Sequence, residues 1–188
     1  MFIIFSGISG SGKNTVMNEL LKRRKNIFIL EQSSATTREK RDSDSLYNTY
    51  KYMTKEEFEN GIKNGDFFEF EEVHGCYYGV LNEALQRVIN NPQNDYMRDI
   101  DVKGNIKLRD YLKDKCGVLS IFLEAPDDVL YERLIGRGES EERARVRLSR
   151  GVMERQFKDQ FDVVIENLDL EKTVQTICRF LDNHRAGN

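Results

Sequence analysis

The chain is poor in the residues that build metal and disulfide frames. Its 188 residues hold three cysteines (Cys76, Cys116 and Cys178), far apart and with no CxxC pair, and only two histidines. That excludes a disulfide scaffold and a zinc frame, and the expected setting is reducing and cytoplasmic. No apolar run approaches the ~18 residues of a membrane span. The run at Phe2–Phe5 is too short, and lacks the basic flank, for a signal peptide. A net charge of −3 argues against a general nucleic-acid or membrane-surface binder. Prolines are limited to Pro92 and Pro126, and the chain has no internal repeat or low-complexity tract. The length suits one α/β core carrying small insertions.

What is present is concentrated near the start, where Phe2 to Thr15 reads FIIFSGISGSGKNT. Four apolar residues predict a short buried strand. Gly7, Gly10 and Gly12 stud the turn after it, and an amphipathic run from Val16 predicts a helix. A GxxxxGK pattern between a strand and a helix is a phosphate-binding loop. Glycines let backbone N–H groups converge on an anion, the helix N-terminus adds partial positive charge, and Lys13 supplies a full one. Ser9, Gly10, Ser11, Gly12, Lys13, Asn14 and Thr15 are therefore candidate ATP contacts. Asn14 stands where a Ser or Thr would ligate Mg²⁺, and its amide oxygen is a candidate hard ligand.

Further along, short apolar strands alternate with helical patterns. Strands are expected at 27–30, 67–73, 96–102, 118–123 and 163–165. Helices are expected after Thr54 (a capping box with Glu57), over 80–89, around Ile106–Leu112, from Ala125-Pro126 with proline in the first turn, from Glu139, and after Asp169. The polar stretch SSATTREKRDSDS reads as a loop. Such alternation predicts a parallel sheet covered on both sides, with ligands at the carboxyl ends of its strands. Arg38 and Arg41, three apart among hydroxyls, suit a second phosphate site. Tyr50 and Tyr78 could add phenolic donors, and Glu69 among aromatics suits an acceptor facing a base.

The order of these motifs resembles the guanylate kinase family over nearly the whole chain. The likeness rests on the phosphate loop, SATTR with a second arginine three on, EVHGCYYG, DID followed by Gly104, Gly136-Arg137-Gly138, and Asn167 before Asp169. The resemblance implies an α/β fold of the P-loop nucleoside-triphosphate hydrolase type. It implies a core at 1–33, 84–135 and 151–188, a GMP-binding insertion at 34–83 and a lid at 136–150. The implied reaction is Mg²⁺-dependent phosphoryl transfer from ATP to GMP, with these two nucleotides as partners. Carried over by position, Arg38, Arg41, Tyr50 and Tyr78 would hold the GMP phosphate, and Ser34, Glu69 and Asp101 would read guanine. Asp99 would organise Mg²⁺ through water. Lys13, Arg137 and Arg147 would surround the transferring group, with Arg38 and Asp99 also counted as catalytic, and Asn167 would touch adenine. His74 reads as structural.

The chain departs from the family pattern at four places. Val80 replaces a Ser or Thr that would bond guanine, Asn14 replaces the hydroxyl after Lys13, Asp95 and Arg98 intrude into an otherwise apolar strand, and Asp42-Ser43 replaces Pro-Gly. These departures leave open a related kinase with another acceptor base, or a silenced module binding phosphorylated or acidic protein segments through Arg38, Arg41 and Tyr78.

Overall fold

The computed structural model describes residues 1–40, 50–73 and 75–186, so Arg41 and His74 lie outside the described residues. Strand β1 (Phe2–Gly7) leads into helix α1 (Lys13–Arg23), and β2 (Ile27–Ile29) follows. The chain then builds a second layer from β3 (Ser34–Thr36), β4 (Tyr50–Tyr52), α2 (Lys55–Asn64), β5 (Phe67–Val73) and β6 (Cys76–Leu81). It returns through α3 (Asn82–Ile89), β7 (Asp95–Asp99), α4 (Val102–Leu112), β8 (Val118–Glu124) and α5 (Asp127–Ile135). Helix α6 (Glu141–Arg155), β9 (Val163–Glu166) and α7 (Leu170–Ala186) complete it.

The first sheet runs β2-β7-β1-β8-β9, with every neighbouring pair parallel. Its central strand is apolar from Phe2 to Phe5 because it is buried on both faces. Ile3 and Phe5 join Val16 and Leu20 of α1 and Val174 and Ile177 of α7. Phe2 and Ile4 point the other way, toward Leu85 and Val88 of α3 and Leu108 and Leu112 of α4. The fold is thus an α/β P-loop kinase core, with a separate mixed sheet ordered β4-β3-β6-β5. In that sheet β3 runs parallel to β4 and antiparallel to β6, and β5 pairs antiparallel with β6.

The small sheet folds around one ring. Helix α2 starts where the capping box places it: Glu57 N donates to Thr54 Oγ1 at 3.1 Å, and Thr54 N to the Glu57 carboxylate at 2.7 Å. That start sets Phe58 in the interior, stacked on Phe67 at 4.2 Å and on Tyr77 at 5.2 Å between centroids.

Five expectations need correction. Ser34–Thr36 is a strand rather than loop, because its backbone bonds to both β4 and β6 and its side chains are buried. Val80 and Leu81 end β6 instead of opening the following helix, since they pair with Ser34 and with β5. Strand β7 stops at Asp99, and Asp101 is the N-cap of α4, accepting from Lys103 N and Gly104 N at 3.0 Å each. Pro126 is the N-cap of α5 rather than part of its first turn. Helix α6 begins after Ser140, whose hydroxyl accepts from Arg143 N, and runs on to Arg155.

Removing the ring at the centre of the small sheet should be felt by the whole unit. Phe58→Ala is expected to cost about 3–5 kcal/mol of stability. Urea unfolding followed by circular dichroism measures it, and a loss below about 1 kcal/mol would show that α2 does not carry this layer.

Candidate active site

The loop at the end of β1 is shaped by two glycines. Gly7 has φ +133°, and a Cβ there would overlap the Leu123 carbonyl of β8. Gly12 has φ +92° and is the N-cap of α1, so it brings no capping side chain to the first N–H groups of that helix. Those groups are left for an anion. Lys13 folds back along the loop, donating to the carbonyls of Gly7 at 2.6 Å and Ile8 at 3.3 Å. Burial pushes its pKa down, while the nearby charges of Asp99 and Glu154 pull it back up.

Beside β1, the turn after β7 is clamped to the same strand end. Ile100 N donates to Phe5 O at 2.9 Å, Ser6 Oγ donates to Ile100 O at 2.7 Å, and Asn105 Nδ2 donates to Ser6 Oγ at 3.0 Å. This places Asp99 and Asp101 facing the phosphate loop. Across from them lies the mixed sheet. Its register sets Tyr50 beside Ser34, Ser34 beside Val80, and Val80 beside Glu69, a row of four residues spanning all four strands. Tyr78 and Glu71 pair in a neighbouring row.

Between the loop and the sheet is a cavity of about 900 Å³. Ser9, Lys13 and Asn14 line one side; Ser34, Tyr50, Glu69, Tyr78 and Val80 line the other; Asp99 and Asp101 close it. Asn14 reaches this cavity, whereas the neighbouring Thr15 is exposed and outside its lining. The Glu69 carboxylate is held by Lys107 of α4 at 2.8 Å, which ties the small sheet to the core.

Other predicted residues stand around this cavity. Arg38 lies over the rings of Tyr50 and Tyr52, at 6.0 and 5.9 Å. Arg147 of α6 approaches the phosphate loop, with Nη1 3.5 Å from Ser9 Oγ and Nε 3.0 Å from a Glu139 carboxylate oxygen. Arg137 is exposed in the turn after α5, near enough for its charge to act on Lys13. Asn167 is set apart: it is buried, donates from Nδ2 to Ser11 O at 2.7 Å, and accepts from Thr173 Oγ1 at 2.9 Å. Its amide is spent on holding the loop from behind, and its place is beneath Gly12 rather than in the cavity.

Sequence reasoning missed several charged residues that line this space, among them Arg98, Lys103, Lys107 and Glu154. Lys107 and Glu154 face the cavity from helices dense in charge, so nothing in their spacing set them apart. Arg98 was visible only as a charge intruding into a strand, with no indication of its direction.

A glycine loop with a half-buried lysine, opposed across a cavity by a second sheet, defines a P-loop phosphotransferase with two substrate sites. The comparisons narrow this. A sequence model of the family described as guanylate kinase matches residues 1–184. Guanylate kinase of Chlorobium chlorochromatii is 37% identical over 177 residues, covering 93% of this chain and 90% of its own. That of Thermotoga maritima is 34% identical over 188 residues, covering 99% and 87%. Among solved structures, guanylate kinase from Anaplasma phagocytophilum superposes with a TM-score of 0.68 at 27% identity, covering 97% of this chain and 85% of its own. A shikimate kinase from Bacteroides thetaiotaomicron, at 16% identity and a TM-score of 0.53, shares the fold alone. The chain belongs to the guanylate kinase family.

Truncating the amide behind the loop tests its part in shaping it. Asn167→Ala should cost about 1–3 kcal/mol through the unpaired Ser11 carbonyl and Thr173 hydroxyl. It should also weaken ATP binding measured by calorimetry while leaving GMP binding unchanged, and an unaltered ATP affinity would show that the loop holds its shape without the amide.

Proposed function

We propose that this chain transfers the γ-phosphoryl group of ATP to GMP, giving ADP and GDP. The observation that carries the reading is the cavity itself: a phosphate loop on one side faces a hydroxyl- and carboxylate-bearing sheet on the other. A hydrolase or nucleotide switch needs one nucleotide site, whereas this arrangement offers a second across one shared cavity.

In this reading the insertion at 34–83 holds the acceptor. Tyr50, Tyr78 and Arg38 take its phosphate, together with Arg41, and Ser34, Glu69 and Asp101 face its base. Asp101 does so with the carboxylate that also caps α4. Lys13, Arg137 and Arg147 gather positive charge around the phosphoryl group as it moves. No side chain acts as nucleophile, because the acceptor phosphate is one, and the protein contributes positioning and charge neutralisation. The segment 136–150 acts as a lid: α6 already touches Ser9 through Arg147. Its far end is fixed to β8 and α5 by Arg155, which pairs with Glu124 at 3.4 Å and Asp127 at 2.7 Å. Movement of the free end would bring Arg137 and Arg147 in and exclude water as a competing acceptor.

The residues fit a Mg²⁺ ion carried in with ATP. Among the described residues no cluster of three or more His, Cys, Asp or Glu could hold a metal unaided. The Asn14 amide oxygen and, through water, Asp99 are hard-oxygen donors in the cavity, and phosphate oxygens would supply the rest. When bound, the ion neutralises charge on the transferring group.

ADP release from Mg-ATP with GMP, dGMP, AMP, CMP or UMP tests the reading. Turnover is expected with guanine acceptors and should fall at least a hundredfold in Lys13→Ala. Arg38→Ala should raise the KM for GMP about tenfold or more and leave that for ATP within twofold. Turnover confined to another base would reassign the acceptor, and none with any base from a folded protein that binds GMP would point to a silenced binding module.

A further inference from the structure

Strand β7 carries a charge that phosphoryl transfer does not use. Arg98 is only 6% exposed and lies in the wall of the acceptor cavity. One hydrogen bond holds it among the described residues: Nη2 donates to Ser34 Oγ at 3.0 Å. Its Nε and Nη1 are withdrawn from water with no hydrogen-bond partner. Burial lowers the guanidinium's pKa, and the charges of Asp99, Tyr50, Asp101 and Glu69 offset that from a distance. A buried guanidinium with unpaired donors is expensive, and an apolar side chain would fill a β-strand position at less cost. The neighbouring Met97 does so at full burial.

The surroundings indicate what the charge is for. Arg98 is bonded to Ser34, the second member of the row Tyr50–Ser34–Val80–Glu69. Glu69 at one end can accept from two adjacent donors. Val80, next to it, has no polar atom to offer. Guanine presents N2–H and N1–H side by side, then the O6 acceptor, then N7 on the adjoining edge. With its two donors on Glu69, O6 passes over Val80 and N7 comes toward Ser34 and the guanidinium.

We infer that Arg98 is a specificity-determining residue that reads O6 and N7 of the guanine acceptor, supplying the donors that Val80 lacks. The inference rests on the GMP reading above. Arginine pairs with these two atoms through two parallel N–H donors, and adenine sets an amino group against one of them. Nε and Nη1 lie on different edges of the guanidinium, so this pairing uses Nη2 with one of them, and it requires the side chain to turn that edge to the base.

The test compares GMP with 7-deaza-GMP, in which N7 is replaced by C–H, in the wild-type chain and in Arg98→Leu and Arg98→Lys. Affinities come from calorimetry and kcat/KM from ADP release, with thermal melting to confirm folding. The wild-type chain should bind GMP about 5- to 100-fold more tightly than 7-deaza-GMP. Arg98→Leu should lose a similar factor on GMP, keep the KM for ATP, bring the ratio of the two nucleotides close to one, and accept AMP relatively better. Arg98→Lys should retain part of the preference. Equal losses on both nucleotides with the ratio preserved would make Arg98 a structural pin for Ser34 and overturn the inference, as would a wild-type chain indifferent to N7. A wild-type chain that binds GMP with N7 preference but does not phosphorylate it would overturn the kinase reading and leave Arg98's role intact. Failure to bind GMP at all would overturn both.

Discussion

A strand buried on both faces leaves its polar chemistry nowhere to go but its ends, and β1 is that strand here. Phe2 to Phe5 are fully buried between two helical layers, and β7 and β8 flank them in parallel. Parallel neighbours deliver their carboxyl ends to one edge, so the loop after β1, the turn after β7 and the segment after β9 arrive together. Lys13, Asp99 and Asn167 come from these three places. None is near another in sequence, and what brings them together is the burial of Ile3, Ile4 and Phe5.

The same edge must hold a loop of unusual shape. Left-handed glycines make the shape accessible, yet access alone does not select it. Selection comes from fixed partners: the Leu123 carbonyl against Gly7, the Asn167 amide on Ser11 O, and Gly151 of α6 packed on Ile8. Each comes from a different element of the core, so the loop is determined by tertiary packing, and its N–H groups need little reorganisation to meet phosphate. The mixed sheet has its own core around Phe58, and reaches the main core through the Glu69–Lys107 pair and Arg98–Ser34 bond as well as apolar contact. Both polar links fall on residues that line the acceptor cavity.

Much of this was legible from patterns with a local cause. The glycine loop, the Thr54–Glu57 box and the apolar runs at β1 and β8 are read from neighbours in sequence, and the structure agrees. What failed was pairing across the chain. Ser34-Ala35-Thr36 is polar and short, and becomes a strand only because β4 and β6 bond to both its edges. Val80 and Leu81 carry a helical spacing that the pairing with Ser34 overrides. The burial of Asn167 against Ser11 and Thr173 is likewise a tertiary fact that no spacing records, and it leaves the contact with adenine implied by the resemblance untouched. Arg41 and His74 lie outside the described residues.

The departures from the family pattern also look different once paired in space. Asp95 accepts from Asn26 Nδ2 at 3.1 Å near the start of β7, so its charge serves the approach to the strand. Arg98 and Val80 stand apart in sequence, one an added charge and the other a lost hydroxyl. The structure sets them on either side of Ser34, one bonded to its hydroxyl and the other beside it in the sheet. A donor lost at one position and a donor gained next to it in space is what compensation looks like, since a closed site pays for every unpaired polar atom on protein or ligand. Read singly, each departure weakens the case for a guanine acceptor; taken as a pair on one cavity wall, they support it.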